Sequence, residues 1–301
     1  MKPALRDYFQ LHFVVLIFGF TAILGRLMTI PALSLVFWRT GLAAAGMWLF
    51  WKFRPDLFTS KQLSRPTQIR LLLTGGIVAA HWILFFGSAR VSNVSVCLAG
   101  MSTSSFWTAL LEPLFRKKAI KPLELLFGLL VVGGLYLIFL FEFNHALGLA
   151  MSLISAMLAA LFSVFNSLFS EKVKSRVITT YEMTGACLST GLFLFVYYWG
   201  IAPNESVQII PQGWDWLWVL ILAGVCTIYA YSVFVNLFRK FSAFVMNLTV
   251  NLEPIYGILL AFCIFGEAEK MNTGFYLGAI LILGAVLLYP LFSRWSRKRS
   301  E

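Results

Sequence analysis

Charged side chains are scarce in this chain: only 12% of its 301 residues are Asp, Glu, Lys or Arg, and 59% are hydrophobic. Soluble domains carry about 25% charge, so together with a mean hydropathy of +0.82 this excludes a soluble globular protein. Histidine is nearly absent. His12, His81 and His145 are too far apart in sequence to suggest a metal cluster, and Cys97, Cys187, Cys226 and Cys263 lack paired spacing. The cysteines read as small apolar packing residues, and neither a metal, a cofactor nor a disulfide framework is expected. Phosphate-loop glycines of the Gly-x-x-x-x-Gly-Lys type are missing, which argues against a primary pump. No His-Glu-x-x-His, Gly-x-Ser-x-Gly or Cys-His arrangement occurs, so an intramembrane lipid-modifying enzyme is the distant reading and no catalytic residue is assigned.

Long apolar runs are what the chain has instead. A helix crossing the ~30 Å hydrocarbon core needs about 20 apolar residues. Ten such spans are expected, near 8–30, 31–51, 71–89, 91–111, 123–141, 147–169, 177–200, 216–238, 241–265 and 271–293. Their connections are short, the longest being 52–70 and 201–215, which leaves no room for a soluble domain. Lys2 and Arg6 before an apolar run resemble a leader peptide, but the run continues through Thr29-Ile30-Pro31 into a second span without a small-residue cleavage site.

Lysine and arginine are retained on the cytoplasmic side. With the N-terminus inside, the inside segments hold 20 of the 24 basic residues, while Glu142, Glu205, Asp215, Glu267 and Glu269 fall outside with Arg90 and Lys270. Both termini are expected in the cytoplasm. The net charge of +11 is then a consequence of topology, and no nucleic-acid partner is needed, because the bases are spread as membrane anchors rather than gathered on one face. Trp214-Asp215-Trp216-Leu217-Trp218 reads as an interfacial belt at the outer leaflet.

Two halves are discernible. Leu111-Glu112-Pro113 recurs as Leu252-Glu253-Pro254, 141 residues later, whereas Gly128 with Gly278 and Gly134 with Gly284 repeat at 150. Taking 150 for this portion puts Glu112 at the cytoplasmic end of span four and Glu253 in mid-span. Halves of five spans, residues 1–142 and 143–301, enter the membrane from opposite sides, because five is odd. The expected fold is all-α, ten transmembrane helices in two inverted repeats, an arrangement that places substrate near the midplane and exposes it alternately to each side.

Over nearly its whole length the chain resembles the drug/metabolite transporter superfamily with two EamA-type domains. The residues that carry this are the Gly19 region, Trp38-Arg39, and Pro254 followed by Gly266-Glu267 and the glycines of span ten. At the 150 offset Ser104 takes the place of Pro254, and Arg116-Lys117 replace Gly-Glu. The resemblance implies a bacterial cytoplasmic (inner) membrane exporter of amino acids or related amphipathic compounds. Its partners are a small-molecule solute, the lipid bilayer and, through Glu253, protons, with a homodimer left open. An anion or sugar-phosphate exchanger is the alternative.

Glu253 is the leading site candidate. A carboxylate in hydrocarbon faces the bundle interior and marks an ion or substrate path, and Pro254 beside it removes a backbone donor and frees a carbonyl that can line a cavity. On a continuous helix Thr249, Tyr256 and Gly257 share its face while Asn247 and Asn251 lie on another. Arg39 and Glu182 stand at mirror positions in spans two and seven. Arg39 can grip a carboxylate or phosphate through its planar fork, or pair internally with Glu182 or Glu253. His81-Trp82 offer a titratable ring and a stacking surface in span three, against core packing as the plainer reading. Ser95, Ser102 and Ser105 in span four, and Tyr229, Ser232 and Asn236 in span eight, form stripes that line a path or bond adjacent helices. Gly274 and Gly278 suit close helix packing, and Arg26 suits snorkelling to the interface. The site is expected between spans two, three, four, seven, eight and nine.

Overall fold

The structure, a computed structural model, describes residues 3–55, 63–141, 145–197, 200, 208–266 and 273–300. Lys2, Lys61, Glu142, Glu205, Glu267, Glu269 and Lys270, invoked above for topology or resemblance, lie outside the described residues, as does the side chain of Pro254. Helix accounts for every regular element among the described residues: α1 Leu5–Leu27, α2 Ala32–Phe53, α3 Arg65–Val91, α4 Val94–Met101, α5 Ser104–Arg116, α6 Pro122–Phe141, α7 Ala146–Ser170, α8 Ser175–Val196, α9 Asp215–Ile221, a π segment Leu222–Tyr231, α10 Ser232–Leu237, α11 Ala243–Val250, α12 Glu253–Phe265 and α13 Thr273–Ser300.

Seven of the ten expected spans are helices long and apolar enough to cross a membrane among the described residues. The other three are helical as well. α6, Pro122–Phe141, is 20 residues long and carries one charged side chain, Glu124. α8 is 22 residues long but more polar, carrying Glu182 and six Ser or Thr. Span nine comprises two shorter helices, α11 ending at Val250 and α12 starting at Glu253.

Span four breaks in the same way between Met101 and Ser104. The chemistry of the two breaks differs. Pro254 sits in the first turn of α12, where its missing N–H is an orphan in any case. At the earlier break, hydroxyls compete for the carbonyls: Ser102 Oγ donates to Leu98 O at 3.3 Å and Thr103 Oγ1 to Gly100 O at 2.8 Å.

These breaks correct the repeat. α4 and α11 are eight residues each, α5 and α12 thirteen, and corresponding boundaries lie 149 residues apart rather than 150. Caps agree with this register. Asn93 accepts from Val96 N (2.8 Å) and Ser242 from Val245 N (3.3 Å); Lys117 and Gly266, which close α5 and α12, both have positive φ, 52° and 58°. Ser104 therefore matches Glu253, not Pro254, and Lys117 stands where Gly266 does. The two Leu-Glu-Pro copies do different work: Glu112 accepts from the backbone N–H of Ala243 (3.3 Å) and Phe244 (2.9 Å), capping α11.

Neighbour relations repeat between the halves. α3 packs on α8 as the π segment packs on α2, α4–α5 packs on α7 as α11–α12 packs on α1, and α6 packs on α13. Close approach is made by glycines, with a Cβ on Gly75 meeting Glu182 O, one on Gly185 meeting Leu72 O, and one on Gly134 reaching 2.8 Å from Gly278 O. Gly278 thus serves packing, as its spacing suggests. The halves are interlocked rather than side by side.

Polar latches join the halves at both ends. At the first end Asp215, buried rather than in an outer loop, accepts from Thr29 N (3.0 Å) and Thr29 Oγ1 (2.7 Å). Ser34 Oγ and Trp38 Nε1 donate to Gln208 O and Ile209 O. Arg26 does not snorkel: it donates to Ala89 O and Ser92 O at the end of α3, while Arg90 donates to Gly25 O and Met28 O at the end of α1. Basic groups at helix C-termini meet the orphan carbonyls there. At the second end Arg116 reaches Glu171 Oε1 (2.9 Å) and Ser167 Oγ (2.9 Å), and Lys240 lies 3.8 Å from Asp7.

Candidate functional site

Both breaks open onto one central cavity, lined by Phe18, Thr21, Arg39, His81, Trp82, Phe85, Met101, Ser104, Ala159, Phe162, Ser163, Tyr231, Phe234, Asn247, Val250 and Glu253. It is narrow, with about 70 Å³ open to water-sized molecules. The last residues of α4 and α11 and the first of α5 and α12 face it, so two half-helix C-termini and two N-termini, the negative and positive ends of their dipoles, meet here.

Half of the lining is paired through the repeat. Trp82 and Tyr231, Phe85 and Phe234, Met101 and Val250, and Ser104 and Glu253 each stand 149 residues apart. Against this near-symmetry the charges differ. Arg39 stacks on Trp82, its guanidinium carbon 3.7 Å from the ring centre. Glu182, at the mirror position, accepts from Tyr231 OH at 2.9 Å and Asn166 Nδ2 at 3.4 Å. One wall is backed by a base and the other by an acid.

Arg39 is 2% exposed. Its Nε donates to Thr227 Oγ1 at 2.8 Å, which in turn donates to Leu222 O at 2.7 Å within the π segment. Nη1 is buried without a partner, and among the described residues no carboxylate oxygen lies within 4.0 Å of the guanidinium. Neither internal pairing, with Glu182 or with Glu253, is formed. Glu253 is 5% exposed and its carboxylate makes no hydrogen bond or ion pair among the described residues. A buried ionisable group without an opposite charge beside it is costly to hold ionised, and two such groups lie on the same cavity.

The remaining candidates divide. His81 lines the cavity, held through Nδ1 to Ser155 O at 3.0 Å while Ser155 Oγ donates to His81 O at 2.9 Å. Ser155 Oγ also lies 2.8 Å from Nδ1, so the ring is fixed to α7 through one residue. Asn247 lines the cavity too, donating to Thr108 Oγ1 (2.7 Å) and accepting from Ser163 Oγ (3.2 Å). Its position beside Glu253 corrects the expected separation of faces, because the break at Asn251-Leu252 resets the helical phase. Ser102 turns back to its own helix, and Ser105 accepts from Asn251 Nδ2 at 2.9 Å, bonding α5 to α11 rather than lining a path. Tyr256 packs beside Gly19 of α1. Glu182 sits behind Tyr231, 0% exposed. Tyr229 points out of the bundle at 49% exposure, and Asn236 is exposed likewise.

Sequence reasoning missed Tyr231, Ser104, Ser163, Phe162 and Thr21. Spans one and six contribute lining residues, while span seven acts only through Tyr231. The π geometry explains the span-eight error, since i→i+5 winding shifts every later residue off a 3.6-residue face. The signal for Ser104 was present in its 149-residue spacing from Glu253. No group of three or more His, Cys, Asp or Glu gathers as a metal site among the described residues.

Comparison with known proteins follows the same two halves. A family model described as the EamA-like transporter family matches residues 8–140 and again 146–290. An uncharacterized transporter of Synechocystis sp. is 23% identical over 261 residues, covering 79% of this chain and 70% of its own. A crystal structure of a protein superposes with a TM-score of 0.69 at 14% identity, over 96% of this chain and 98% of that one, which shows a shared fold.

Proposed function

We infer from one premise, that the chain belongs to the EamA-like transporter family and is a membrane transporter of the drug/metabolite kind, how its central cavity works. It is a secondary transporter of a small zwitterionic metabolite, an amino acid or related amphipathic compound, exported across the bacterial cytoplasmic membrane. The observation that carries this reading is that Arg39 and Glu253 line one cavity, each buried, and form no ion pair with each other among the described residues. An α-carboxylate fits the free guanidinium nitrogens by charge-assisted hydrogen bonds. An ammonium fits Glu253. Phe18, Phe85, Met101, Phe162 and Phe234 supply an apolar wall for the body of the solute.

A phosphate dianion would meet Glu253 as a like charge in a water-poor site, which favours the zwitterion over the sugar-phosphate exchanger. The mechanism proposed is alternating access, in which the two five-helix halves, 1–142 and 143–301, rock so that the Thr29–Asp215 end and the Arg116–Glu171 end open in turn; a polar latch between the halves at each end supports it. By the positive-inside asymmetry the second end and both termini are cytoplasmic.

Counterflow in proteoliposomes tests the reading. Vesicles loaded with unlabelled neutral amino acids are expected to accumulate the labelled compound, and vesicles loaded with sugar phosphates are not. Accumulation with sugar phosphates alone would transfer the protein to the exchanger class.

A further inference from the structure

A second cavity, of about 920 Å³, shares no lining residue with the central one. It lies at the Arg116–Glu171 end of the bundle, between the first turns of α3, the last turns of α7 and the α7–α8 turn. Leu73 and Ile77 from α3 and Phe165 and Leu168 from α7 form an apolar wall, and the hydroxyl residues Ser64, Thr67 and Thr74 line the rest of the α3 side. Arg70, Lys172 and Lys174 stand at its mouth with Glu171. The acid is engaged, since Arg116 Nη1 holds it at 2.9 Å. The side chains of the three bases make no ion pair or hydrogen bond among the described residues. Leu73 is 66% exposed, so the apolar wall runs out to the bundle's surface.

Cations above an apolar cleft that opens sideways have one complement in a membrane. A soluble anion would answer the bases but leave the cleft empty, and a neutral lipid would fill the cleft but leave the bases unmatched. Basic pockets between transmembrane helices at the cytoplasmic surface suit anionic head groups. We propose that this cleft binds one anionic phospholipid, its phosphate among Arg70, Lys172 and Lys174 and an acyl chain along Leu73, Ile77, Phe165 and Leu168. The site joins α3 of the first half to α7 and α8 of the second, so the bound lipid also bridges the two bodies that move in transport.

The test is native mass spectrometry of the detergent-purified full chain titrated with phosphatidylglycerol and with phosphatidylcholine of identical acyl chains. The wild type is expected to retain one phosphatidylglycerol at roughly tenfold lower concentration than phosphatidylcholine, since each basic residue near a membrane surface favours an anionic lipid appreciably. The triple substitution Arg70→Gln, Lys172→Gln and Lys174→Gln should reduce that preference to about threefold or less. Ile77→Trp, which fills the cleft and leaves the bases, should weaken retention of both lipids. Should the triple variant fail to fold, the exposed Lys172→Gln and Lys174→Gln are made singly, and each is expected to lower the preference.

Equal retention of the two lipids by the wild type, or undiminished preference in the charge variants, would overturn the proposal. So would displacement of the lipid by inorganic phosphate, which would mark a free-anion site instead. None of these readouts involves transport, so failure here leaves the reading of the central cavity where it stands.

Discussion

Arg39 presents a buried guanidinium of which only Nε has a protein partner. Were it a structural residue, removing it would loosen the bundle. A buried unpaired charge behaves in the opposite way, because its desolvation opposes folding. Arg39→Met is therefore expected to leave the ligand-free thermal midpoint unchanged or raised, while Arg39→Lys, which lacks the planar fork and its stack on Trp82, weakens solute binding roughly 10–100-fold. Calorimetric titration and a melting curve on the same samples separate the two effects. Glu253 stands alone in the same cavity. Glu253→Gln is expected to lose solute exchange together with the response to an imposed proton gradient; transport with an unchanged response to the gradient would remove Glu253 from both roles. Arg39, Glu253, His81, Trp82 and Asn247 were legible in the sequence because a polar group in an apolar run is expensive wherever it sits. Tyr231 and Ser163 were not, since hydroxyls are ordinary helix–helix glue and nothing local distinguishes the ones that face a cavity.

Elements set which faces those residues show. The π segment exists where Thr227 Oγ1 donates to Leu222 O five residues back, and the same hydroxyl accepts from Arg39. Thr227→Val removes both bonds at nearly constant volume, and a loss of about 1–3 kcal/mol is expected, mostly from leaving Arg39 without its anchor. Chemical denaturation measures it, and a stability within about 0.5 kcal/mol of wild type would contradict the role assigned to that hydroxyl. Helical periodicity read span eight wrongly for the same reason, choosing Tyr229 instead of Tyr231. In spans four and nine the position of the breaks was half legible. Pro254 announces one, but the Ser102-Thr103-Ser104 break carries no proline, and its equivalence emerges only from matched helix lengths. Glu112 illustrates what repetition of a tripeptide conceals: it caps α11 at one end of the bundle, while its apparent copy Glu253 lines the central cavity.

At the scale of the molecule, ten apolar runs foretold a helical membrane protein in two halves, and short connections foretold tight packing. Interlocking of the halves was not readable, because it depends on glycine approaches such as Gly75 to Glu182 O and on latches between residues up to 186 apart in sequence. If the latches alternate, holding one closed stops the cycle. Cysteines at Thr29 and Asp215, joined by a bifunctional thiol reagent in a background without Cys97, Cys187, Cys226 and Cys263, are expected to abolish transport and to recover it on reduction. Full activity in the linked protein would exclude movement at that end.

The central claim, that Arg39 and Glu253 hold the two charges of one zwitterionic solute, is met most directly by thermal unfolding of the purified protein with neutral amino acids, sugar phosphates and polyamines. A ligand that binds only the folded state raises the midpoint with its concentration. The account predicts that a neutral amino acid raises the midpoint of the wild type and moves neither Arg39→Ala nor Glu253→Gln, both of which unfold cooperatively without ligand. A shift of the same size in either variant, or stabilisation of the wild type by phosphorylated compounds alone, would contradict it.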